Sequence, residues 1–190
     1  MSTERPHRPP RRRDPEGRRR ALAAAALRVI TEVGIGRTTH RAVAERAGVP
    51  LGATTYYFPA LTDLVAAGLE RASADIAADV QAWADRLGDG TDLPSRLAEL
   101  VGEYLDDRDR AVTELELYLA AARDPGLRPL ARAWLDAIHQ VLAPRVGDRA
   151  AWRLAVFVDG VVLQHLVTGE PVDVAAVGAA MAALCDTGTR

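Results

Sequence analysis

Residues 40–58 read HRAVAERAGVPLGATTYYF, and this stretch decides the fold. It holds two short helical segments separated by a glycine, which is the arrangement of a helix-turn-helix. Ala44 is small enough to let the two helices cross closely, and Gly48, four residues later, tolerates the positive φ that the turn requires. The apolar residues that can bury the junction are Val43, Ala47 and Val49. The stretch therefore predicts a helix-turn-helix from Thr39 to Phe58.

The second helix of this motif has a surface suited to the major groove of DNA. Small side chains allow a helix to sit deep in that groove, and hydroxyl groups can bond phosphate oxygens and base edges. Thr39 can cap the first helix and also contact a phosphate, whereas Arg41 could equally be a solvated surface residue and Phe58 is expected in the core. The residues expected to contact double-stranded DNA are Arg18, Thr39, His40, Arg41, Pro50, Leu51, Gly52, Ala53, Thr54, Thr55, Tyr56 and Tyr57.

The charge of the chain is unevenly distributed. Residues 1–58 contain 12 Arg against 5 Asp and Glu, a net charge of +7, whereas residues 59–190 contain 12 Arg against 21 Asp and Glu, a net charge of −9. A basic head on an acidic body indicates a polyanionic partner for the head. Residues 1–15 are rich in Arg and Pro, and we expect a disordered arm that is either a solvated tail or a further contact with DNA.

Apolar spacing of three and four residues extends helical structure over the rest of the chain. The pattern predicts helices over residues 16–33, 39–47, 50–57, 61–87, 94–105, 111–123, 127–141, 149–167 and 174–185. We therefore expect an all-α fold of nine helices. A three-helix DNA-binding head at residues 16–59 would be followed by a six-helix ligand-binding and dimerisation bundle at residues 60–190.

The head resembles the DNA-binding signature of TetR/AcrR-family regulators. The resemblance covers residues 17–64, where the Ala-Gly-Val turn, the glycine two residues past Pro50 and the aromatic pair before a long helix fall in register. It implies a nine- or ten-helix fold, a homodimer through the last two long helices and a small-molecule pocket in the body.

Three positions depart from the family pattern. Thr54 and Thr55 stand where the family often has an apolar residue and a tyrosine, and Leu61 stands where it often has a lysine. Two usual phosphate contacts are therefore missing. We expect Tyr56, Tyr57 and the N-terminal arginines to take over contacts with the DNA backbone.

Aromatic and ionisable side chains of the body are the candidates for lining a ligand cavity, although each could equally be ordinary core or surface. They are Trp83, Tyr104, Glu114, Tyr118, Trp134, His139, Phe157 and His165. His139 and His165 lack a spacing typical of metal ligands, so we expect neither a metal nor another cofactor.

The last two helices are the candidates for a dimer interface. A helix that is apolar on nearly all sides must be buried twice, by its own body and by a partner, unless it is a central core helix. The expected interface residues are Ala155, Val158, Gly160, Val161, Val162, Val177, Met181 and Leu184.

These features predict a transcriptional regulator. We expect a homodimeric repressor that a small-molecule effector releases from a palindromic DNA operator; an effector-less DNA-binding or protein-interaction module is the alternative. An enzyme is not expected, because the sequence has no G-x-S-x-G, no HExxH and no lysine for a Walker A loop. With no signal peptide, no uncharged membrane-length run and a single cysteine, we expect a cytoplasmic, nucleoid-associated protein without a membrane partner.

Overall fold

The computed structural model describes residues 14–88 and 92–186. Within this part of the chain the fold is all-α, and the predicted number and order of helices are confirmed. The helices are α1 (Pro15–Val33), α2 (His40–Ala47), α3 (Leu51–Tyr57), α4 (Leu61–Leu87), α5 (Leu93–Asp106), α6 (Arg108–Arg123), α7 (Arg128–Val146), α8 (Asp148–Thr168) and α9 (Val174–Asp186). Two short 3-10 turns, Ile35–Arg37 and Pro125–Leu127, precede α2 and α7.

Local sequence sets the ends of the first helices. The predicted arm lies largely outside the described residues, but its last two residues begin α1 instead: Asp14 caps the helix by accepting a hydrogen bond from the Gly17 nitrogen at 2.7 Å, and Pro15 is its first residue. Gly34, at φ 79°, ends α1 as predicted. Thr39 caps α2 by accepting from the Ala42 nitrogen at 3.1 Å.

The head has a small hydrophobic core to which α4 also contributes. Leu22, Val43, Phe58 and Leu64 are fully buried in one cluster, so the first turn of α4 completes the core that α1 to α3 begin. Gly68 allows α1 and α4 to approach closely, since a Cβ there would lie 3.0 Å from the Leu27 nitrogen. A division at residues 59 and 60 stays a prediction.

A second cluster joins the head to the body. Ile30 of α1 packs with Val65 and Leu69 of α4 and with Leu117 of α6. Polar contacts run alongside, because the hydroxyls of Thr31 and Thr113 are 2.9 Å apart. Helix α6 therefore contacts the head directly, on the side that faces the body.

The body is a bundle in which α7 packs between α4 and α8, and α5 packs on α9. Helix α8 is long and apolar enough that length and composition alone would let it cross a membrane. Its inner side, with Leu154, Val158 and Val162, belongs instead to the main core of the bundle. Its opposite side is the exposed apolar surface described below.

Candidate nucleic-acid interface and effector site

The turn of the helix-turn-helix has the geometry that the sequence predicts. Gly48 is left-handed, with φ 63° and ψ 37°. The nitrogen of Gly48 donates to the Glu45 carbonyl at 3.1 Å, and the nitrogen of Val49 donates to the Ala44 carbonyl at 3.0 Å. Ala44 is 3% exposed at the helix crossing. The turn thus fixes the direction in which α3 leaves α2.

The outer side of α3 presents a small, hydroxyl-bearing surface. Tyr56 is 78% exposed, Leu51 is 44% exposed, and Gly52 and Thr55 are exposed between them. The Thr55 hydroxyl donates to the Gly52 carbonyl at 3.3 Å, and its oxygen can still accept a hydrogen bond. We call Pro50, Leu51, Gly52, Thr55 and Tyr56 the reading face. Ala53 is half-buried beside it.

Thr54 does not belong to the reading face, and its expected DNA contact is wrong for this structure. The side chain is fully buried, and its hydroxyl donates to the Leu51 carbonyl at 2.7 Å. The reason is helical period, because residue 54 lies one turn before Phe58 and on the same side of the chain. That spacing is readable in the sequence and could have assigned Thr54 to the core.

Tyr57 is the last residue of α3, and its contact with DNA stays a prediction. It is half-buried against the head core and stacks edge-to-face with Tyr56 at 5.1 Å. Its carbonyl accepts from the Arg19 guanidinium at 3.0 Å, and the same guanidinium lies over the Phe58 ring at 4.3 Å. The contacts by which Arg19 holds the end of α3 were not predicted from the sequence, because its two partners are 38 and 39 residues away along the chain.

The cations near the motif differ in how far they are engaged. Arg18 and Arg41 are exposed. Arg46 is paired with Glu32 through two hydrogen bonds, and this lowers the pKa of the glutamate. His40 is half-buried, and its Nδ1 has no hydrogen-bond partner within the described chain. Arg18 and Arg41 therefore stay the predicted phosphate contacts.

Four of the predicted pocket residues meet inside the body, each from a different helix. Trp83 of α4 packs edge-to-face on Tyr104 of α5 at 6.0 Å between ring centroids. The Tyr104 hydroxyl donates to Glu114 of α6 at 2.6 Å. With Trp134 of α7 they line a cavity of about 20 Å³, which we call the inner chamber.

The inner chamber holds a buried acid. Glu114 is 3% exposed, and burial raises its pKa to about 7 although the hydrogen bond from Tyr104 opposes the shift. Burial likewise raises the pKa of Asp159 on α8 to about 6. Tyr118, one helical turn after Glu114 on α6, packs against the body core, and burial and then the charge of Glu114 raise the pKa of its phenol.

The other three predicted pocket residues lie elsewhere, so the grouping of all eight in one pocket is wrong. His139 is half-exposed on α7, with its Nε2 3.6 Å from Asp148. Phe157 and His165 line an open groove of about 700 Å³ on α8 and α9. The His165 Nδ1 is 2.8 Å from the Glu170 carbonyl oxygen. The groove lies on the outer sides of α8 and α9, whereas the inner chamber lies on the side of α8 that faces the core of the bundle.

The expected dimer interface splits between core and surface. Ala155, Val158, Val162 and Met181 are 8% exposed or less and pack in the core of their own subunit, so their assignment to an interface is wrong. The other four expected residues, which do line the groove, are Gly160, Val161, Val177 and Leu184.

An exposed apolar stripe on α8 was missed. Trp152 is 64% exposed, Val156 51%, Leu163 49% and Val167 76%. With Gly160 they form a row at four- and three-residue steps, which we call the α8 stripe. The helical period of residues 152–167 could have identified this row, but not that it faces outward. A surface of this composition is typical of protein contact sites.

Both halves of the chain match models of a known protein family. The family model described as "Bacterial regulatory proteins, tetR family" matches residues 22–67, and the model described as "Tetracyclin repressor-like, C-terminal domain" matches residues 88–187. The HTH-type transcriptional regulator BetI of Burkholderia mallei (strain NCTC 10229) is 32% identical over 171 residues, which cover 83% of this chain and 86% of BetI.

Solved structures agree with these matches. A TetR-family protein from Streptomyces coelicolor A3 is 40% identical, with a TM-score of 0.78 over 88% of this chain and 97% of its own. The multidrug binding protein EbrR complexed with ethidium is 41% identical, with a TM-score of 0.79 over 88% of this chain and 98% of its own. EbrR has also been solved with proflavin and with malachite green.

Proposed function

The chain belongs to the tetR family of bacterial regulatory proteins, a family of DNA-binding transcriptional regulators, and we propose that it is a homodimeric repressor released by an organic cation. The observation that carries the effector part is a buried carboxylate among aromatic rings, Glu114 with Tyr104, Trp83 and Trp134. Such a site suits a cationic aromatic molecule, because rings attract a cation through their faces and the carboxylate neutralises it.

The head supplies recognition of DNA in this proposal. The reading face enters the major groove, where Thr55 and Tyr56 are placed to bond bases and phosphates. A dimer would present two heads, and its operator would be a palindrome with half-sites about one helical turn, roughly 34 Å, apart. Such a regulator would act in the cytoplasm, at the nucleoid.

The α8 stripe supplies the dimer contact. Trp152, Val156, Leu163 and Val167 would be buried only against a second copy. Gly160 between them has no side chain and has open space around it, so a partner helix could approach closely there. A large exposed apolar row on a helix whose other side is already packed is explained by such a partner.

The body supplies the effector site. EbrR, which is similar over most of the chain, has been solved with ethidium, a planar aromatic cation. A cation bound preferentially to the DNA-free arrangement of the dimer would shift the population toward it and release the operator.

Selection of bound DNA from a random pool tests the DNA-binding part. We expect a palindrome whose half-sites are one helical turn apart, and release of the selected DNA when ethidium is added. Tyr56→Ala should weaken binding strongly, whereas Leu119→Ala, an exposed apolar residue on α6, should not. Binding without sequence preference, or operator release unaffected by any organic cation, would contradict the repressor or the effector respectively.

Light scattering tests the dimer. Val156→Glu should give monomers, because it places a charge in the middle of the α8 stripe. Leu119→Glu is the matched control, since Leu119 is 56% exposed but lies on another helix. A dimer that persists in the Val156 variant would refute the assigned interface.

A further inference from the structure

We propose that the guanidinium of Arg110 is a resident cation, which occupies the effector's cationic position and must be displaced outward when an organic cation binds. This inference rests on the proposed function, whose effector site it deepens. It assigns Arg110 as the residue that sets effector affinity and Asp79 as its anchor at the entrance.

The entrance is a second cavity, of about 300 Å³, between α1, α4 and α6. Four carboxylates line it, and we call it the acidic vestibule. They are Asp75, Asp79, Asp107 and Asp109. Arg110 and Asp79 line both the acidic vestibule and the inner chamber, so their ion pair is the wall between the two cavities.

Arg110 already makes the contacts that a bound organic cation would make. Its guanidinium carbon lies 5.3 Å from the centroid of the Tyr104 ring, within the range of a cation–π contact. The hydroxyl of the same ring is the donor to Glu114. Burial lowers the pKa of Arg110, against the opposing charges of Asp75 and Glu114, so the guanidinium sits where water solvates it poorly. An aromatic cation, which is less dependent on water, can replace it.

The sizes of the cavities require this displacement. The inner chamber, at about 20 Å³, has room for one water molecule, whereas ligand sites for drug-sized molecules span roughly 300–1,000 Å³. Moving Arg110 aside would join the chamber to the acidic vestibule and reach that range. The chamber also has an unfilled polar partner: Trp134 is 4% exposed, and its indole nitrogen has no hydrogen-bond partner within the described chain.

Arg110→Met tests the inference, because methionine keeps much of the side-chain volume and removes the charge. We expect ethidium to bind about tenfold more tightly to the full-length variant than to the wild type by fluorescence titration, the size of one cation–π contact. Phenanthridine, the neutral parent ring system, should change little. Arg110→Gln is the second variant, and Arg110→Lys, which restores a cation, should return affinity toward the wild type.

Arg86→Met is the matched control, since Arg86 is an exposed arginine of the body that pairs with Glu103 away from both cavities. Tighter ethidium binding in the two uncharged Arg110 variants alone, or binding in them where the wild type shows none, would support the resident cation. Wild-type binding that both uncharged variants leave equal or weaken would overturn it while leaving the effector proposal standing. Absence of ethidium binding in every variant, together with operator release unaffected by any organic cation, would overturn both.

Discussion

The head and the body of this protein differ in the polar side chains that they bury. The buried polar side chains of the head, Thr38 and Thr54, are hydroxyls that donate to carbonyls three or four residues earlier, Gly34 at 3.0 Å and Leu51 at 2.7 Å. The body instead buries a carboxyl, Glu114, whose hydrogen-bonded neighbour Tyr104 is itself partly buried. The two head hydroxyls are satisfied by nearby carbonyls, whereas the body keeps an ionisable carboxyl away from water.

The proposed function accounts for this difference. A reading face works only if α3 is held rigidly, so the head closes its core with apolar and self-satisfied groups. A site for a cation needs a carboxylate in a place of low polarity, although burial of that charge is unfavourable without a partner. In the proposed function, the body accepts lower stability at the place where a cationic ligand would displace Arg110 and approach this carboxylate.

The largest expected effect is on the core of the head. Phe58→Ala removes a fully buried ring that also supports Arg19, and it should lower the free energy of unfolding by about 3–5 kcal/mol. Urea unfolding followed by circular dichroism measures this loss, and operator binding should disappear with it. Leu119→Ala, on an exposed residue, should stay within about 0.5 kcal/mol. A loss of under 1 kcal/mol for Phe58→Ala would show that the head is less tightly packed than we describe.

The second effect should have the opposite sign and depend on pH. The folded pKa of Glu114 is about 7 against an ordinary 4.5, so the folded state holds a proton that the unfolded chain releases. Stability from this group is therefore complete below pH 4.5, falls as pH rises to 7, and stays lower above. Glu114→Gln should stabilise the protein by up to about 3 kcal/mol at pH 8 and by little at pH 4.5.

Unfolding curves at both pH values check this prediction. Glu103→Gln is the matched control, because the hydrogen bond from Arg86 lowers the pKa of Glu103. Removing the charge of Glu103 should therefore destabilise the protein slightly at neutral pH. If Glu114→Gln gave the same change in stability at pH 8 and pH 4.5, the buried acid would not be the source of the difference between head and body.

A smaller effect is expected at the turn of the head. Gly48→Ala meets no atom within 4 Å but must adopt φ 63°, so strain alone should cost about 1–2 kcal/mol. Gly36→Ala also meets no atom within 4 Å, and Gly36 is not in the left-handed region, so this variant should cost less. Thermal unfolding of the two variants separates the cost of backbone strain from the cost of steric crowding, and equal melting temperatures would argue against a strained turn.

The smallest effect separates two adjacent threonines of α3. Thr54→Val removes a buried hydrogen bond and should cost about 1 kcal/mol of stability, with operator binding changed only through folding. Thr55→Val should leave stability nearly unchanged and weaken operator binding. Chemical unfolding and DNA titration on both variants check the pair, and the reverse pattern would mean that α3 is rotated from its present position.

The sequence alone determined what depends on near neighbours along the chain. The number and order of the helices, the glycine end of α1 and the left-handed turn at Gly48 follow from propensity, spacing and glycine's freedom at positive φ. The exposure of Pro50, Leu51, Gly52, Thr55 and Tyr56 was also expected, whereas Thr54 is buried and Ala53 and Tyr57 are half-buried.

Only the tertiary structure decided which residues meet. Helical period shows that a side chain faces an apolar neighbour, but it does not show whether that neighbour is its own core or solvent, and so Val158 and Val156 exchange places between the expected and the observed surface. The inner chamber likewise joins five helices, α4 to α8, and Arg110 closes it by contacts with Asp79 and Tyr104. Contacts between distant segments depend on how helices pack against one another, and that information is not carried by any one stretch of sequence.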